Sequence, residues 1–385
     1  MRKKVIRKVA IIFIIVVIVF LCSFQYLWTK KDGEYYYRYT LHKQYERTRL
    51  LKYTNTTSLY SESDFNEIIE NYFDVSDSEE SSILENSYII PGLKRTRTLS
   101  ENNANSISVC TSMTPQGITL TDSYVFISAY CYRKSHNSVI YMIDRKTHEF
   151  IKEIVLPDKS HVGSIAYDSV NQNIWVCSYE DNDKQAFVCA LSLDHIENYD
   201  LGDFNLPIKY DMQYQINTQK RTSFMNYYDG SLYIGYFKSG VDKESTVQQF
   251  VLTETGGLKT VDNLMVDVYE DDPIEYALPT SLYYINGMAQ GMALDEGKII
   301  ITQSHGSENK SKLLILMNEK DSDGNVNARN SNVIKTIELP VMAEDCYMDE
   351  EGNLYICFES AAFVYRARKC DHVDRIIFIP REVYS

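Results

Sequence analysis

The sequence predicts an all-β protein, and three observations support this prediction. Short apolar runs bounded by Asp, Asn, Gly and Lys follow one another from about residue 115 to the C-terminus. Almost no sustained helical period occurs after residue 100. A unit of strand, polar turn and strand recurs along the chain. Many short strands at regular spacing are typical of an all-β fold.

Five segments repeat one pattern, in which small polar residues precede an apolar strand, a turn rich in Asp, Gly or Asn, and a second strand. They are PQGITLTDSYVFISAY (115–130), HVGSIAYDSVNQNIWVCSY (161–179), TSFMNYYDGSLYIGYF (222–237), AQGMALDEGKIIITQS (289–304) and AEDCYMDEEGNLYICFES (343–360). Each interval has room for a third and often a fourth strand. Four antiparallel strands per repeat, arranged radially, form the blade of a β-propeller. We therefore predict a β-propeller of five or six four-stranded blades over residues 87–385.

The outer strands of two blades are repeated as well. SVIYMIDRKTHEFIKEIVLP (138–157) and the segment 311–340 each run from an apolar strand through a polar turn to a strand ending in Leu-Pro. We interpret them as third and fourth strands. Because one small sheet cannot bury both of its faces, the blades must close into a ring. We expect residues 106–111 to supply the closing strand, and a sixth blade would combine 87–114 with strands from 200–270.

The N-terminal residues differ from the rest of the chain. Residues 1–8 carry five Lys and Arg, and residues 9–28 carry no charge. About 20 apolar residues at 1.5 Å each span the core of a bilayer, and no small-residue cleavage motif follows. This predicts a cytoplasmic tail and a transmembrane signal anchor, with the remaining chain outside the cell. A cleaved signal peptide is the alternative. We expect residues 29–86 to form a partly helical stalk and linker.

Charge and cysteine content restrict the partners and the cross-links. The net charge of −14 argues against nucleic acid as a partner. Two cysteine pairs flank expected hairpins: Cys177 with Cys189, and Cys346 with Cys357. Directly opposed cysteines could form disulfides, and buried free thiols are equally consistent with the sequence. No C-x-x-C spacing occurs, so no metal site is predicted from the cysteines.

The segment 138–157 resembles the strand–turn–strand unit of YVTN-type propellers, which are related in form to lactonase-like and strictosidine-synthase-like propellers. The resemblance is strong over 115–180, weaker over 280–360 and poor over 200–270. It implies the propeller fold. Such propellers host binding proteins, lyases, hydrolases and lactonases, so the fold does not select a function.

The first strand of each propeller blade lines the central channel, and the residues that begin these strands collect at one mouth. The aligned positions there are Gln116, His161, Ser223, Gln290, Glu344 and Asp345. We expect this polar ring to orient a ligand; the alternative role is to satisfy backbone groups between blades. The loops after the second strands form another candidate surface, which contains His136 and His305.

The function most consistent with these features is a membrane-anchored, extracytoplasmic propeller that binds a glycan, a small molecule or a protein. The alternative is a lactonase-like or glycan-active hydrolase or lyase at the channel mouth, and a third possibility is a structural assembly factor. No cofactor is predicted. The resemblance to lactonase-like propellers leaves a divalent cation open, which Gln116, Gln290, Glu344 and Asp345 would hold if they converge. Convergence of three or more polar side chains would favour an enzyme, and a flat tyrosine-rich face would favour binding.

Overall fold

The computed structural model describes residues 53–100, 107–180, 185–216, 218–262, 275–295 and 297–385. The expected cytoplasmic tail, the anchor at 9–28 and the first part of the stalk lie outside these residues, so they stay predictions. None of the helices within the described ranges is both long enough and apolar enough to cross a bilayer.

The described chain begins with two helices and three short strands. They are α1 (Glu62–Tyr72), α2 (Asp77–Asn86), β1 (Tyr88–Ile89), β2 (Thr96–Leu99) and β3 (Ile107–Cys110). Strands β2 and β3 pair with each other as an antiparallel ribbon, separate from the larger sheets.

Five larger sheets then follow, and each is one propeller blade. Blade 1 contains β4 (Met113–Leu120), β5 (Tyr124–Cys131), β6 (Val139–Asp144) and β7 (Phe150–Val155). Blade 2 contains β8 (Ile165–Asp168), β9 (Asn173–Glu180), β10 (Gln185–Ser192), helices α3 (Leu193–Asn198) and α4 (Leu201–Phe204), then β11 (Met212–Ile216).

The remaining blades continue in chain order. Blade 3 contains β12 (Phe224–Tyr228), β13 (Ser231–Gly235) and β14 (Glu244–Val251), after which β15 (Thr260–Asp262) and β16 (Glu275–Ala277) extend the sheet of blade 2. Blade 3 resumes with β17 (Ser281–Asn286). Blade 4 contains β18 (Ala289–Leu294), β19 (Lys298–Gln303), β20 (Ser311–Met317) and β22 (Val333–Leu339); β21 (Val326–Ala328) and a 3₁₀ turn (Asn330–Asn332) precede β22. Blade 5 contains β23 (Ala343–Met348), β24 (Leu354–Phe358) and β25 (Arg375–Ile379), and the chain ends with α5 (Arg381–Tyr384).

The prediction of an all-β propeller is confirmed, with five blades. The inner strands β4, β8, β12, β18 and β23 contact one another in turn, and β23 contacts β4 to complete the ring. Every residue of β4 is buried, whereas most of the outer strand β22 is partly or fully exposed. Inner strands are covered on both faces by neighbouring blades, so that even the polar residues of β4, such as Thr114 and Thr119, are buried. The segments 138–157 and 311–340 supply third and fourth strands as predicted.

The expected sixth blade and the expected closing strand are both wrong. Strand β1 pairs antiparallel with β25 and closes blade 5, whereas β3, within the expected closing segment 106–111, pairs only with β2. Five inner strands already complete the ring, so the residues from 87 to the start of β4 are left for closure and for the ribbon. Blades 2 and 3 also exceed four strands, because β15 and β16 extend blade 2 and β21 extends blade 3.

The expectation of a separate stalk as far as residue 86 is corrected for residues 53–86. Helices α1 and α2 bury Phe65, Ile69 and Ile83 in an apolar cluster that also contains Ile300 and Ile356 of blades 4 and 5. The segment expected to be a polar linker forms α2. This helix buries Ile83 on one face, and its polar residues can stay at the surface because only one face has to be covered.

Helix α1 begins with a capping box. The Ser61 hydroxyl accepts a hydrogen bond from the backbone N–H of Asp64 at 3.1 Å, and the Asp64 carboxylate accepts one from the N–H of Ser61 at 2.9 Å. Loss of such a cap costs about 1 kcal/mol. We expect Ser61→Ala to accelerate amide hydrogen exchange across α1 about fivefold, while Ser63→Ala, in the exposed first turn, leaves it unchanged. Equal exchange in both variants would contradict the assigned cap.

Of the two alternatives that the sequence left open for these cysteines, the structure has the buried free thiols and not the disulfides. Cys177 lies opposite Val188 and Cys346 lies opposite Ile356, so Cys189 and Cys357 are each displaced by one residue. Because side chains alternate along a strand, a displacement of one residue places the two thiols on opposite faces of the sheet. All four cysteines are buried free thiols.

Candidate ligand site at the channel mouth

A cavity of about 450 Å³ opens where the inner strands begin and the second strands of the blades end. Six of the residues predicted from the sequence line it: Gln116, His161, Ser223, Gln290, Glu344 and His305. The expected ring at the channel mouth therefore converges on one cavity. His305 was expected on a separate loop surface, but it faces the same cavity. The first and second strands of a blade are antiparallel, so the second strand ends beside the start of the first.

Two predicted residues do not line this cavity. Asp345 is fully buried below the mouth, where its carboxylate accepts hydrogen bonds from the Ser164 hydroxyl at 2.7 Å and the Ile118 N–H at 3.3 Å. It thereby links the inner strands of blades 5, 1 and 2. His136 lies beside Cys131, on the ribbon side of blade 1.

A continuous hydrogen-bond network crosses the cavity floor. The Gln116 amide oxygen lies 2.7 Å from His161 Nε2, and its amide nitrogen donates to Glu359 at 3.2 Å. Gln290 donates to Glu344 at 3.2 Å. The carboxyl groups of Glu344 and Glu359 are hydrogen-bonded to each other. The amides of Gln290 and Gln116 are thus joined through the carboxyl groups of Glu344 and Glu359.

Unusual backbone conformations support this floor. Met288 and Met342 directly precede inner strands and Val162 lies three residues before one, and the three have positive φ angles of 65°, 62° and 48°. The Met342 carbonyl accepts a hydrogen bond from the N–H of Glu359 at 3.1 Å and so holds Glu359 over the channel. Left-handed conformations at residues other than glycine cost about 1–3 kcal/mol each and cluster at functional sites.

The carboxyl pair shares a proton. Burial, together with the adjacent charge of Glu359, raises the pKa of Glu344 well above its usual value. Burial also raises the pKa of Glu359, to about 7, against the opposing effect of hydrogen bonds from Glu344, Gln116 and Tyr365. Because Glu359 receives these donors, it is the first of the two to ionise, as the pH rises to about 7, and Glu344 keeps its proton. Two such groups in direct contact cannot both ionise without a large electrostatic cost.

His161 is neutral in this setting. Desolvation at the mouth, followed by the positive charges of Arg221 and Lys134, lowers its pKa. The ring remains exposed to the water in the cavity, which moderates the desolvation. Its Nε2–H donates to Gln116, and its ring stacks on Tyr130 with centroids 4.0 Å apart.

Aromatic and cationic side chains form the walls. Tyr130, Phe237 and Tyr365 line the cavity, and Phe237 stacks on His305 at 5.8 Å. The Arg368 guanidinium lies over the Tyr365 ring at 5.2 Å. The cationic residues of the lining are Lys134, Lys159, Arg221 and Arg368. The cavity thus combines polar groups on the floor, aromatic faces on the walls and positive charge around them.

The four residues proposed as cation ligands do not present four oxygen atoms to one point in this arrangement. The Gln116 amide nitrogen donates to the Pro115 carbonyl at 2.8 Å, which fixes the orientation of that amide. Its N–H therefore points at Glu359, and Gln290 likewise presents N–H to Glu344. With both amides presenting N–H to the carboxyl pair, the oxygen ligands of a cation there would be the carboxylates and water. Asp345, the fourth group of the expected ligand set, lies below the cavity.

Several cavity residues were missed by sequence reasoning. Tyr130, Phe237 and Glu359 stand at or next to the last positions of repeated segments, where the second strands end. The repeat alignment therefore contained a signal for them. Arg221 precedes a repeat, and Tyr365 and Arg368 lie in the long connection after β24; the sequence offers no comparable signal for these three.

A second cavity, of about 720 Å³, lies beside helices α1 and α2 and the outer hairpin of blade 1. Its buried cation is already paired, because Arg375 donates to Asp374 at 2.6 Å and lies over the Phe65 ring at 4.7 Å. Among the residues that the structure describes, no network comparable to that of the mouth joins the lining of this cavity. The channel mouth is therefore the better candidate site.

No protein-family model matches the sequence, and no curated protein matches it. Solved structures with related architecture include hydrazine synthase of Kuenenia stuttgartiensis (TM-score 0.33, 11% identity, covering 63% of this chain and 55% of that one). Another is a Thermus thermophilus protein described as an oxidoreductase (glucose dehydrogenase) (TM-score 0.37, 12% identity, covering 74% and 90%). A third is the β-propeller domain of the Trilobed protease from Pyrococcus furiosus (TM-score 0.32, 10% identity, covering 65% and 79%). At these scores none carries an argument about function, and the likeness to YVTN-type propellers stays a resemblance.

Proposed function

We propose that this protein is a membrane-anchored propeller that binds, at its channel mouth, a small hydroxylated ligand with an anionic group, such as an acidic saccharide. In this proposal residues 9–28 anchor the chain and the propeller faces the outside of the cell. The network formed by Gln116, Glu359, Glu344 and Gln290 on the cavity floor is the observation that carries the proposal.

The chemistry of the floor suits hydroxyl groups. A protonated carboxyl, a carboxylate and two amides present both donors and acceptors at fixed positions, and hydroxyl groups can pair with either kind. The aromatic faces of Tyr130, Phe237 and Tyr365 provide apolar surface for a sugar ring above that floor.

The charge of the lining favours an anion. Four cationic residues face two carboxyl groups, of which one is protonated, although the whole chain has a net charge of −14. A concave site concentrates such a local field. The net negative charge of the chain argues against a polyanion bound along its surface. The local positive charge of the mouth favours a small anion there.

An acid–base enzyme is the second candidate, because more than three polar side chains converge on one cavity, as in an enzyme active site. Glycoside hydrolysis by the carboxyl pair is disfavoured, since its two carboxyl groups would stand about 5–9.5 Å apart and these are directly hydrogen-bonded. Proton abstraction by Glu359, as in a lyase, is the chemistry that remains. Its pKa of about 7 suits a general base.

The proposal is tested by probing an array of acidic and neutral saccharides with the purified full-length chain. We expect acidic saccharides to bind, and Arg221→Ala and Gln290→Ala to weaken binding at least tenfold, or about 1.4 kcal/mol, as expected for lost charged or buried hydrogen bonds. Lys146→Ala, which removes an exposed lysine from the outer turn of blade 1, is the matched control. Equal binding by all variants would contradict the assignment of the site.

Mass spectrometry of the bound saccharide separates the two candidates. Product formation that is abolished in Glu359→Gln, with binding retained, would identify a lyase. Binding without any product would leave the binding module.

A further inference from the structure

A second group of reactive side chains lies outside the channel mouth. Cys110 ends strand β3 of the ribbon, Cys131 ends strand β5 of blade 1, and His136 follows in the next loop. The two sulfur atoms are 3.4 Å apart, and Cys131 Sγ lies 3.6 Å from His136 Nδ1. All three donor atoms lie within 4.8 Å of one another.

These separations match the edges of a zinc coordination tetrahedron. With Zn–S bonds of about 2.3 Å and Zn–N bonds of about 2.05 Å, tetrahedral angles place two sulfurs ~3.8 Å apart and a sulfur and a nitrogen ~3.6 Å apart. A disulfide would need the sulfurs about 2.05 Å apart and would give the imidazole no role. The arrangement is closer to a metal site than to a cross-link.

The surroundings of His136 fit the same interpretation. Its other ring nitrogen, Nε2, lies 3.3 Å from the Ser108 hydroxyl, the kind of partner that fixes the orientation of a metal-ligating imidazole. The Ser135 hydroxyl lies 3.0 Å from His136 Nδ1 and 3.6 Å from Cys131 Sγ. A zinc ion bound to Nδ1 would replace the hydrogen bond from Ser135, and Ser135 or a water molecule would then take the fourth coordination position.

We propose that Cys110, Cys131 and His136 form a zinc site that fastens the β2–β3 ribbon to blade 1. Two thiolates and one imidazole select zinc over the hard cations Ca²⁺ and Mg²⁺, which prefer oxygen ligands. Binding releases the thiol protons to solvent and changes no oxidation state. The pattern escapes sequence inspection because Cys110 is 21 residues from Cys131, far from the spacing of a C-x-x-C motif.

The test measures metal uptake by the full-length chain, purified under reducing conditions, stripped with a chelator and reloaded with zinc chloride. We expect one zinc ion per chain at this site and, with cobalt, a thiolate-to-metal charge-transfer band. Cys131→Ser and His136→Gln should weaken zinc binding at least tenfold and lose or shift that band. Cys370→Ser, a cysteine outside the cluster, should change neither.

Thiol reactivity of the unsubstituted protein keeps the test independent of variant folding. Because Cys110 and Cys131 are buried, their alkylation is measured on peptides by mass spectrometry in urea below the unfolding midpoint; zinc should slow it relative to the zinc-free reduced protein and leave Cys370 unaffected. The proposal is overturned if His136→Gln binds zinc as tightly as the parent. It is equally overturned if Cys110 and Cys131 form a disulfide and the reduced protein takes up no zinc.

Discussion

Replacing Gly163 by alanine is expected to lower the free energy of unfolding by about 3 kcal/mol, at the upper end of the range for overpacking substitutions. Gly163 stands at the start of the inner strand of blade 2, where an added Cβ would collide with the backbone carbonyl oxygen of Ser223 in blade 3. A backbone atom cannot rotate away as a side chain does, so the ring itself would have to widen. Urea unfolding measures the effect.

Gly297 offers a matched control. A Cβ at this position would meet no other atom within 4 Å. Gly297→Ala is therefore expected to be neutral, or to stabilise the protein by up to about 1 kcal/mol because it lowers the conformational entropy of the unfolded chain. Equal stability of the Gly163 and Gly297 variants would show that the inner strands are not packed as closely as described.

Raising the pH through about 7 is expected to destabilise the protein by up to about 3 kcal/mol through the Glu344–Glu359 pair. Folding raises the pKa of Glu359 from its ordinary 4.5 to about 7. The stabilisation from the protonated pair is therefore complete below pH 4.5 and is lost as the pH rises to about 7. Glu359→Gln should remove this part of the pH dependence and be more stable than the parent at pH 8.

Two comparisons isolate the effect. Glu338 is exposed, and its pKa is lowered by Lys310, so Glu338→Gln should leave the slope between pH 5 and 9 unchanged. His161 acts in the opposite direction. Its lowered pKa means that stability is full above pH 6.5 and is lost as the pH falls. The difference between the parent and Glu359→Gln cancels the His161 contribution, and an unchanged slope in Glu359→Gln would exclude the shared proton.

The blades were predictable because each repeat carries its own local pattern. The strand that closes blade 5 was not predictable, because β1 has only two residues and its partner β25 lies more than 280 positions later. Local periodicity contains no information about such a pairing. Helical structure within residues 29–86 was predictable, but the surface that covers Phe65 and Ile69 of α1 could not be deduced from the sequence.

The site was half predictable for a geometric reason. Propeller topology brings the starts of inner strands together, which located Gln116, His161, Gln290 and Glu344 in advance. Glu359 completes the carboxyl pair from the end of a second strand, and the sequence alignment did not treat that end as part of the same mouth. The sequence could not decide between disulfides and free thiols for the cysteine pairs, since a register offset of one residue reverses the face of a strand.

The most direct test of the channel mouth as a site for hydroxylated anions is a calorimetric titration with trigalacturonate and with its fully methyl-esterified form. The two ligands share their hydroxyl groups and differ in charge. We predict that the acid binds at least tenfold more tightly than the ester to the full-length chain, and that Arg221→Ala removes most of this difference while Lys146→Ala does not. Equal affinity for the two ligands, or an unchanged preference in Arg221→Ala, would contradict the account.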